Sequence, residues 1–176
     1  MKNEEYKIMK DNTVVYFGKK YTLVPLALHA KNKIDEIFAF NQPLGKDETV
    51  QQDCIDGIFN LYSVPKTLKE HFSEITHQAT IFIEHSLKNS DLEKQVFIDV
   101  YPDFFYANIT QNGRLLFSNA FEYANAEEFV YFVLNIFDKF GLNQLENKLI
   151  ISGETDKKDD KIRLLKDYIK FLVLNS

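Results

Sequence analysis

The sequence predicts an α/β fold, a mixed sheet with helices on both faces, and three observations indicate it. Runs rich in β-branched and aromatic residues predict three successive strands over residues 96–123. An apolar segment of helical character and a further strand follow them. A strand that ends in Val-Pro and continues as a helix occurs twice, at Val24-Pro25 and Val64-Pro65. That alternation is typical of parallel strands joined by crossover helices.

The composition suits one medium domain or two small lobes. Of 176 residues, 45% are hydrophobic, and 16 Phe and 9 Tyr with no Trp indicate a core built largely from aromatic rings. The net charge of −5 argues against nucleic acid as a partner, because phosphates require a basic surface. A single Cys, a polar start and the lack of a long apolar run predict a cytoplasmic protein that makes no membrane contact.

The first part of the chain predicts strands and helices in alternation. Residues 1–12 are expected to form a frayed polar lead-in. Strands are predicted at residues 13–17, 21–24 and 55–63, the last with Gly57 as a bulge. Helices are predicted at residues 26–30, 34–40, 66–72 and 78–87. The polar residues 89–93 are expected to separate two lobes.

Residues 104–123 predict a β-hairpin, because Asn112-Gly113 is a strong signal for a two-residue turn. Such a turn sets Gln111 opposite Arg114 and, further out, Ile109 opposite Leu116, Ala107 opposite Ser118 and Phe105 opposite Ala120. One face then carries Phe104, Tyr106, Leu115, Phe117 and Phe121, and the other carries Phe105, Ala107, Ile109, Leu116 and Ala120. Since both faces are apolar, both are expected to be covered.

A buried helix is predicted between Asn125 and Gly141. Asn125 suits an N-cap, Glu128 adds a residue of the capping-box type, and Gly141 suits a left-handed C-cap. The segment is apolar nearly all round, which indicates packing on its own sheet and on a second element, such as the other lobe. Residues 149–152 then predict a strand that ends at Gly153, 154–160 an acidic loop and 161–173 a final helix.

Several segments together carry a family resemblance. They read YTLVP at 21–25, NLYSVP at 60–65, QNGRLLFSNAFEY at 111–123, EFVYFVL at 128–134 and ISGE at 151–154. With these segments the chain resembles a bacterial family of unknown function, typical of Bacteroidetes, that has an actin-like ATPase fold. Such folds pair two ribonuclease-H-like lobes, each with three antiparallel strands, a helix, a strand and a helix in that order.

The resemblance implies an incomplete first ribonuclease-H-like lobe over residues 1–93 and a second lobe over residues 94–176. Members of the family have further strands before the region equivalent to Thr13. We therefore expect the first lobe to lack its opening three strands. The chain is then either a short version of the family or a fragment of a longer protein.

The resemblance also implies where ATP and Mg²⁺ would bind. In actin-like ATPases an Asp ends the first strand of a lobe and a glycine turn follows, so that the backbone approaches the phosphates and the Asp holds the metal. Asp99 stands at that place, and Gly153 matches one glycine of the adenosine-side motif. Tyr101-Pro102 follow Asp99 instead of glycine, and Pro lacks an N–H. The favoured expectation is therefore no cofactor, with Asp99 and Gly153 as cofactor-binding residues only in the alternative.

No catalytic residue and no metal site is predicted elsewhere. His71, His77 and His85 match no compact metal-ligand spacing with Glu74 or Glu84 and are expected to be surface or half-buried histidines. Cys54 lacks a neighbouring base and is expected to be unreactive. The acidic residues Asp156, Asp159 and Asp160 lack the spacing of a calcium loop.

Three functional hypotheses follow. The favoured one is a degenerate, non-catalytic actin-like module, a pseudo-ATPase, that acts through a protein partner. The first alternative is an ATP-dependent enzyme with an atypical phosphate loop at Asp99. The second is a structural domain that forms a homodimer through the aromatic helix that bears Phe129, Phe132, Phe137 and Phe140.

Overall fold

The structure is a computed structural model that describes residues 6–9 and 13–175. The chain divides into two compact units, of which the first ends at Glu84 and the second begins at His85. The dividing point lies inside a helix, so one continuous element contributes to both units.

The first unit contains two small sheets. Its elements are β1 Tyr6–Ile8, β2 Val14–Tyr16, β3 Tyr21–Pro25, α1 Ile34–Asn41, β4 Glu48–Ile55, β5 Ile58–Pro65, α2 Lys66–His71, β6 Ile75–His77 and the start of α3, Gln78–Lys88. One sheet has the order β1-β2-β6, and the other has the order β3-β5-β4. A small apolar cluster of Val24, Phe38, Val50 and Leu61 packs α1 against the second sheet.

Three predictions for this unit were wrong. Residues 6–8 are not a frayed lead-in, because they pair antiparallel with β2; residues 1–5 and 10–12 lie outside the described residues. The strand β4 was not predicted. Gly57 is no bulge: Asp56 and Gly57, with φ of 44° and 78°, form the two-residue turn between β4 and β5. The two Val-Pro strands, β3 and β5, are antiparallel neighbours rather than parallel strands joined by a crossover.

The second unit is a five-stranded sheet with a long helix. Its elements are β7 Gln95–Val100, β8 Phe104–Gln111, β9 Arg114–Glu122, α4 Ala126–Lys139, β10 Lys148–Gly153, α5 Asp160–Lys166 and β11 Leu172–Leu174. The strand order is β11-β10-β7-β8-β9, in which β10 runs parallel to both of its neighbours. The predicted order of three antiparallel strands, helix, strand and helix is confirmed.

The predicted hairpin register was wrong beyond the turn. Asn112 and Gly113 form the expected turn with φ of 50° and 70°, and Gln111 pairs with Arg114. A bulge between Ile109 and Thr110 then shifts the pairing, so that Ile109 faces Phe117. The other predicted pairs shift with it: Ala107 faces Asn119 and Phe105 faces Phe121.

The shift moves two aromatic side chains to the covered face of the sheet. Phe121 stacks on Phe105 at 5.2 Å between ring centroids, and Phe117 lies 4.8 Å from Phe140 at the end of α4. A one-residue slip exchanges the two faces of a strand, so the bulge places these partly buried rings on the side of the core that α4 covers, opposite to the face given by the simple count.

The helix α4 matches its predicted caps. The Glu128 N–H donates to the Asn125 side chain at 2.9 Å, and the Glu128 carboxylate accepts from the Ala124 N–H at 2.7 Å. Gly141 has φ of 61°, and the Leu142 N–H closes the helix end on the Phe137 carbonyl at 2.8 Å. The helix packs on its sheet and on α5 of the same unit. These local signals therefore fix both ends of the main core helix.

The predicted final helix was too long. α5 ends at Lys166, and Leu172–Leu174 pair with β10 as a parallel edge strand. Ile162 and Leu165 in α5 and Ile169 just after it are buried. No helix within the described residues has the length and apolar character that crossing a membrane requires.

Candidate functional site

The two residues predicted for a nucleotide site lie together at the carboxyl end of a parallel strand pair. β7 and β10 run side by side, with Asp99 opposite Ser152 and Val100 opposite Gly153. Such an edge is the usual place for a ligand in an α/β sheet. The two residues therefore lie at one edge of the sheet, and the side-chain geometry decides what that edge can hold.

The Asp99 carboxylate is hydrogen-bonded by side chains of this unit. Its Oδ1 accepts from the Ser152 hydroxyl at 2.9 Å, and its Oδ2 accepts from the Tyr101 hydroxyl at 2.7 Å. Only 6% of Asp99 is exposed. A buried carboxylate requires such donors, and here the chain itself supplies them to both oxygens.

The loop after Asp99 contains the aromatic residues Tyr101 and Phe104 and no glycine. The Tyr101 ring stacks on Phe104 at 4.7 Å, and its backbone N–H donates to the Phe104 carbonyl at 2.9 Å. The Tyr123 hydroxyl donates to the Tyr101 carbonyl. This turn directs a bulky side chain toward Asp99 and commits its first amide to the turn, so it does not fit a phosphate in the way a glycine loop does.

Gly153 is required by the strand packing. Its φ is 90°, and a Cβ placed there would lie 2.3 Å from the Val100 carbonyl oxygen and 2.9 Å from Asp99 Oδ1. The following residue, Glu154, donates its N–H to the same Val100 carbonyl at 2.7 Å. The glycine therefore allows the close contact of β10 with β7, and no ligand is needed to explain it.

An open depression of about 630 Å³ begins at Gly153. The other residues that line it are Glu154, Thr155, Asp156, Lys158 and Asp159. Three acidic groups and one lysine make a poor environment for a polyphosphate, because like charges repel.

Asp159 is the N-cap of α5. It contacts Lys161 at 2.9 Å, and although burial acts to raise its pKa, the hydrogen bonds from Lys161 and Thr155 bring the pKa below its ordinary value. Among residues 6–9 and 13–175, no group of three His, Cys, Asp or Glu side chains is placed to hold a metal ion.

A second polar cluster lies in the first unit and was missed by the sequence reasoning. Asp53 on β4 accepts at Oδ2 from the His77 backbone N–H at 2.9 Å and from the Thr80 hydroxyl at 2.6 Å. Its Oδ1 lies 3.1 Å from the Tyr62 hydroxyl. Asn60 donates from Nδ2 to the Thr80 hydroxyl oxygen at 2.9 Å. The cluster joins β4 and β5 of one sheet to β6 of the other and to α3.

His77 is fully buried in this cluster. The prediction that it lies at the surface or is half-buried was wrong. Burial lowers its pKa to about 3, against the opposing effect of its hydrogen bond to the Gly18 carbonyl. Its Nε2 donates to that carbonyl at 2.9 Å, which leaves Nδ1 as the acceptor for Asn60 Nδ2 at 3.2 Å. The histidine is therefore neutral and of one defined tautomer.

One sequence signal could have found this cluster. Asp56-Gly57 between two apolar runs is a hairpin signal of the same kind as Asn112-Gly113. Counting outward from that turn sets Asp53 opposite Asn60, as observed. The contacts with β6 and α3 depend on the tertiary fold.

The fold is that of the actin-like ATPases. A crystal structure from Bacteroides thetaiotaomicron, described as a protein with actin-like ATPase fold and unknown function, is similar with a TM-score of 0.83 and 21% identity, over 92% of this chain and 66% of that one. The chain thus spans less than two thirds of that relative's length. Residues 5–172 match the family described as protein of unknown function (DUF3822), and the chain belongs to that family.

A more distant likeness is to a structure described as the PilM-PilN type IV pilus biogenesis complex. Its TM-score is 0.53 at 9% identity, over 89% of this chain and 65% of that one. The sequence matches no curated protein. The predicted family and fold are confirmed by these comparisons.

Proposed function

We propose that the protein is a non-catalytic actin-like module that acts through contact with another protein. One observation carries the proposal: both carboxylate oxygens of Asp99, the residue that the family resemblance implies for metal binding, already accept from Ser152 and Tyr101. To hold Mg²⁺ or its waters, Asp99 would have to exchange these donors. The PilM-PilN neighbour, described as a complex of two proteins, supports a protein-binding role for a fold of this kind.

The melting temperature with and without millimolar Mg-ATP tests the non-catalytic part of the proposal. A ligand that binds only the native state must raise the melting temperature, so we expect no shift. A rise of several degrees that requires Mg²⁺ and disappears in Asp99→Asn would support the ATP-dependent enzyme instead. CTP serves as the matched control for effects of triphosphate and chelation alone.

A homodimer is the second candidate, and a row of rings favours it. Along the outer margin of β9 and α4, neighbouring ring centroids are 4.8 to 6.3 Å apart in the order Phe140, Phe117, Phe121, Phe132, Tyr131. The first four rings are partly buried, and 64% of Tyr131 is exposed. β9 is the last strand of its sheet, so this row lies where a second copy can approach.

The charges at the ends of β9 are complementary to a second copy. Arg114 begins the strand and Glu122 ends it, and both are exposed. An antiparallel, two-fold approach of two β9 strands therefore brings Arg114 of each copy to Glu122 of the other. No like charges meet in that arrangement.

Charge reversal tests the dimer by sedimentation at several concentrations. We expect a dimer in the wild type that Arg114→Glu weakens and that Arg114→Glu with Glu122→Arg restores. Arg163→Glu, an exposed change on α5, is the matched control and leaves the dimer unchanged. A monomer at every concentration would eliminate this candidate.

A further inference from the structure

The proton count around Asp53 in the first unit is incomplete if the carboxyl group is ionised. The two contacts of Oδ2 each have a proton, one from the His77 backbone N–H and one from the Thr80 hydroxyl. The Thr80 hydroxyl accepts a hydrogen bond from Asn60 Nδ2, which leaves its own proton for donation to Asp53. These contacts are the same for an ionised and for a neutral group.

The contact of Oδ1 with Tyr62 is different. The Tyr62 hydroxyl has one proton and two acceptor neighbours, the Ile75 carbonyl at 2.7 Å and Asp53 Oδ1 at 3.1 Å. The shorter contact takes the proton. Tyr62 Oη and Asp53 Oδ1 would then face each other with lone pairs only, unless Asp53 supplies a proton of its own.

We propose that Asp53 is held as a neutral carboxylic acid in the folded protein, with Oδ1–H donating to Tyr62 Oη, and that its ionisation loosens the joint between the two sheets of the first unit. In the neutral state every close contact of the carboxyl group contains one proton. Asp53 then accepts hydrogen bonds from His77 on β6 and Thr80 on α3, and donates one to Tyr62 on β5.

Ionisation would alter a contact on β6. When the Asp53 proton leaves to solvent, the Tyr62 proton is the one available for Oδ1. If the Tyr62 hydroxyl turns its proton to Asp53, the Ile75 carbonyl on β6 loses the hydrogen bond that it accepts from Tyr62 on β5. The change therefore spreads from a single carboxyl group to the connection between the sheets.

The groups that face Asp53 favour the neutral state. Burial is the largest influence and raises the pKa of Asp53. The hydrogen bonds from Thr80 and His77 and the contact with Tyr62 oppose it, the charge of Glu84 on α3 adds to it, and the pKa remains raised. His77 is neutral and supplies no positive charge. Burial also raises the pKa of Tyr62, so that hydroxyl keeps its proton.

The direction of the pH dependence follows from linkage. A carboxyl group whose pKa is higher in the folded than in the unfolded chain stabilises the fold fully below the ordinary aspartate pKa. That stabilisation is lost as the pH rises through the folded-state pKa. Asp53 therefore lowers the stability of the first unit with rising pH, in contrast to carboxylates such as Asp159 whose pKa is lowered.

Asp53→Asn in the full chain is the first test. Asparagine reproduces the neutral acid, with Nδ2 donating to Tyr62 and the carbonyl accepting from His77 and Thr80. We expect equal denaturation midpoints for wild type and D53N at acid pH, and a higher midpoint for D53N at alkaline pH. Asp56→Asn at the neighbouring exposed turn is the control and follows the wild type. A D53N midpoint below that of the wild type throughout would overturn the proposal.

The carboxyl carbon resonance of Asp53 in the wild type gives a second test that needs no stable variant. We expect it to titrate above the ordinary aspartate value, and titration at or below that value would overturn the proposal. Tyr62→Phe sharpens the result, because it removes the acceptor of the Asp53 proton and should lower the pKa of Asp53. If Tyr62 instead donated to an ionised Asp53, the same substitution would raise that pKa.

Discussion

Replacing Gly153 with alanine is expected to lower the free energy of unfolding by about 3 kcal/mol or more. Two effects add. A φ of 90° is strained for alanine, and the new methyl group would meet the Val100 carbonyl oxygen at 2.3 Å and the Val100 nitrogen at 2.6 Å. Both contacts are with backbone, so β10 must separate from β7 to relieve them. Urea denaturation followed by circular dichroism measures the loss.

Gly113→Ala is the matched control for this effect. Gly113 also has a positive φ, of 70°, but a Cβ there has no atom within 4 Å. Gly113→Ala should therefore lower the free energy of unfolding only by the backbone strain, about 1 kcal/mol. Equal losses for the two variants would show that the close approach of β10 to β7 does not exist as described.

Replacing Phe129 with alanine is the second change with a large expected effect, about 3–5 kcal/mol. Phe129 is fully buried in α4, with its ring 4.9 Å from Phe105 and 5.2 Å from Tyr123. Removing it leaves a cavity between the helix and the sheet that neighbouring rings cannot fill without leaving their own contacts. The same denaturation experiment measures this loss.

Tyr131→Ala on the same helix is the control for Phe129→Ala. Tyr131 is 64% exposed, so its removal should change stability by less than about 0.5 kcal/mol. A Phe129→Ala loss no greater than that of Tyr131→Ala would contradict the position of α4 in the core.

Local signals made much of the second unit predictable. The Asn112-Gly113 turn, the Asn125 cap and the Gly141 cap each require a particular backbone or side-chain chemistry within a few residues. The bulge at Ile109 was not predictable from the turn. It depends on which rings α4 covers, and Phe117 and Phe121 take that side only after the shift.

The first unit was harder to predict for a physical reason. Its sheets are small, and β1 and β6 have three residues each, too few to show a period. The long strand β4 consists mostly of polar residues that are half-buried, which weakens its apolar signal. For β4, the Asp56-Gly57 turn was the local signal available.

The Asp99 site and the Asp53 cluster also differ in how much of each could be predicted from the sequence. Asp99 and Gly153 were named from the family resemblance, which compares residues near the ends of strands along the chain. Of the two partners of Asp99, Tyr101 is only two residues away, whereas Ser152 is brought opposite Asp99 by the parallel pairing of β7 with β10, which joins residues far apart in sequence. The Asp53 cluster draws on four elements, so only its contact across the β4–β5 hairpin could be counted from the sequence.

The central claim is that the groups around Asp99 are satisfied by the chain and leave no nucleotide site. A titration of Mg-ATP into ¹⁵N-labelled protein, observing the backbone amides of Val100, Tyr101, Gly153 and Glu154, tests it at the residues themselves. We expect these amide resonances to keep their positions up to millimolar Mg-ATP. Saturable, Mg²⁺-dependent shifts centred on these four amides, and absent in Asp99→Asn, would contradict it.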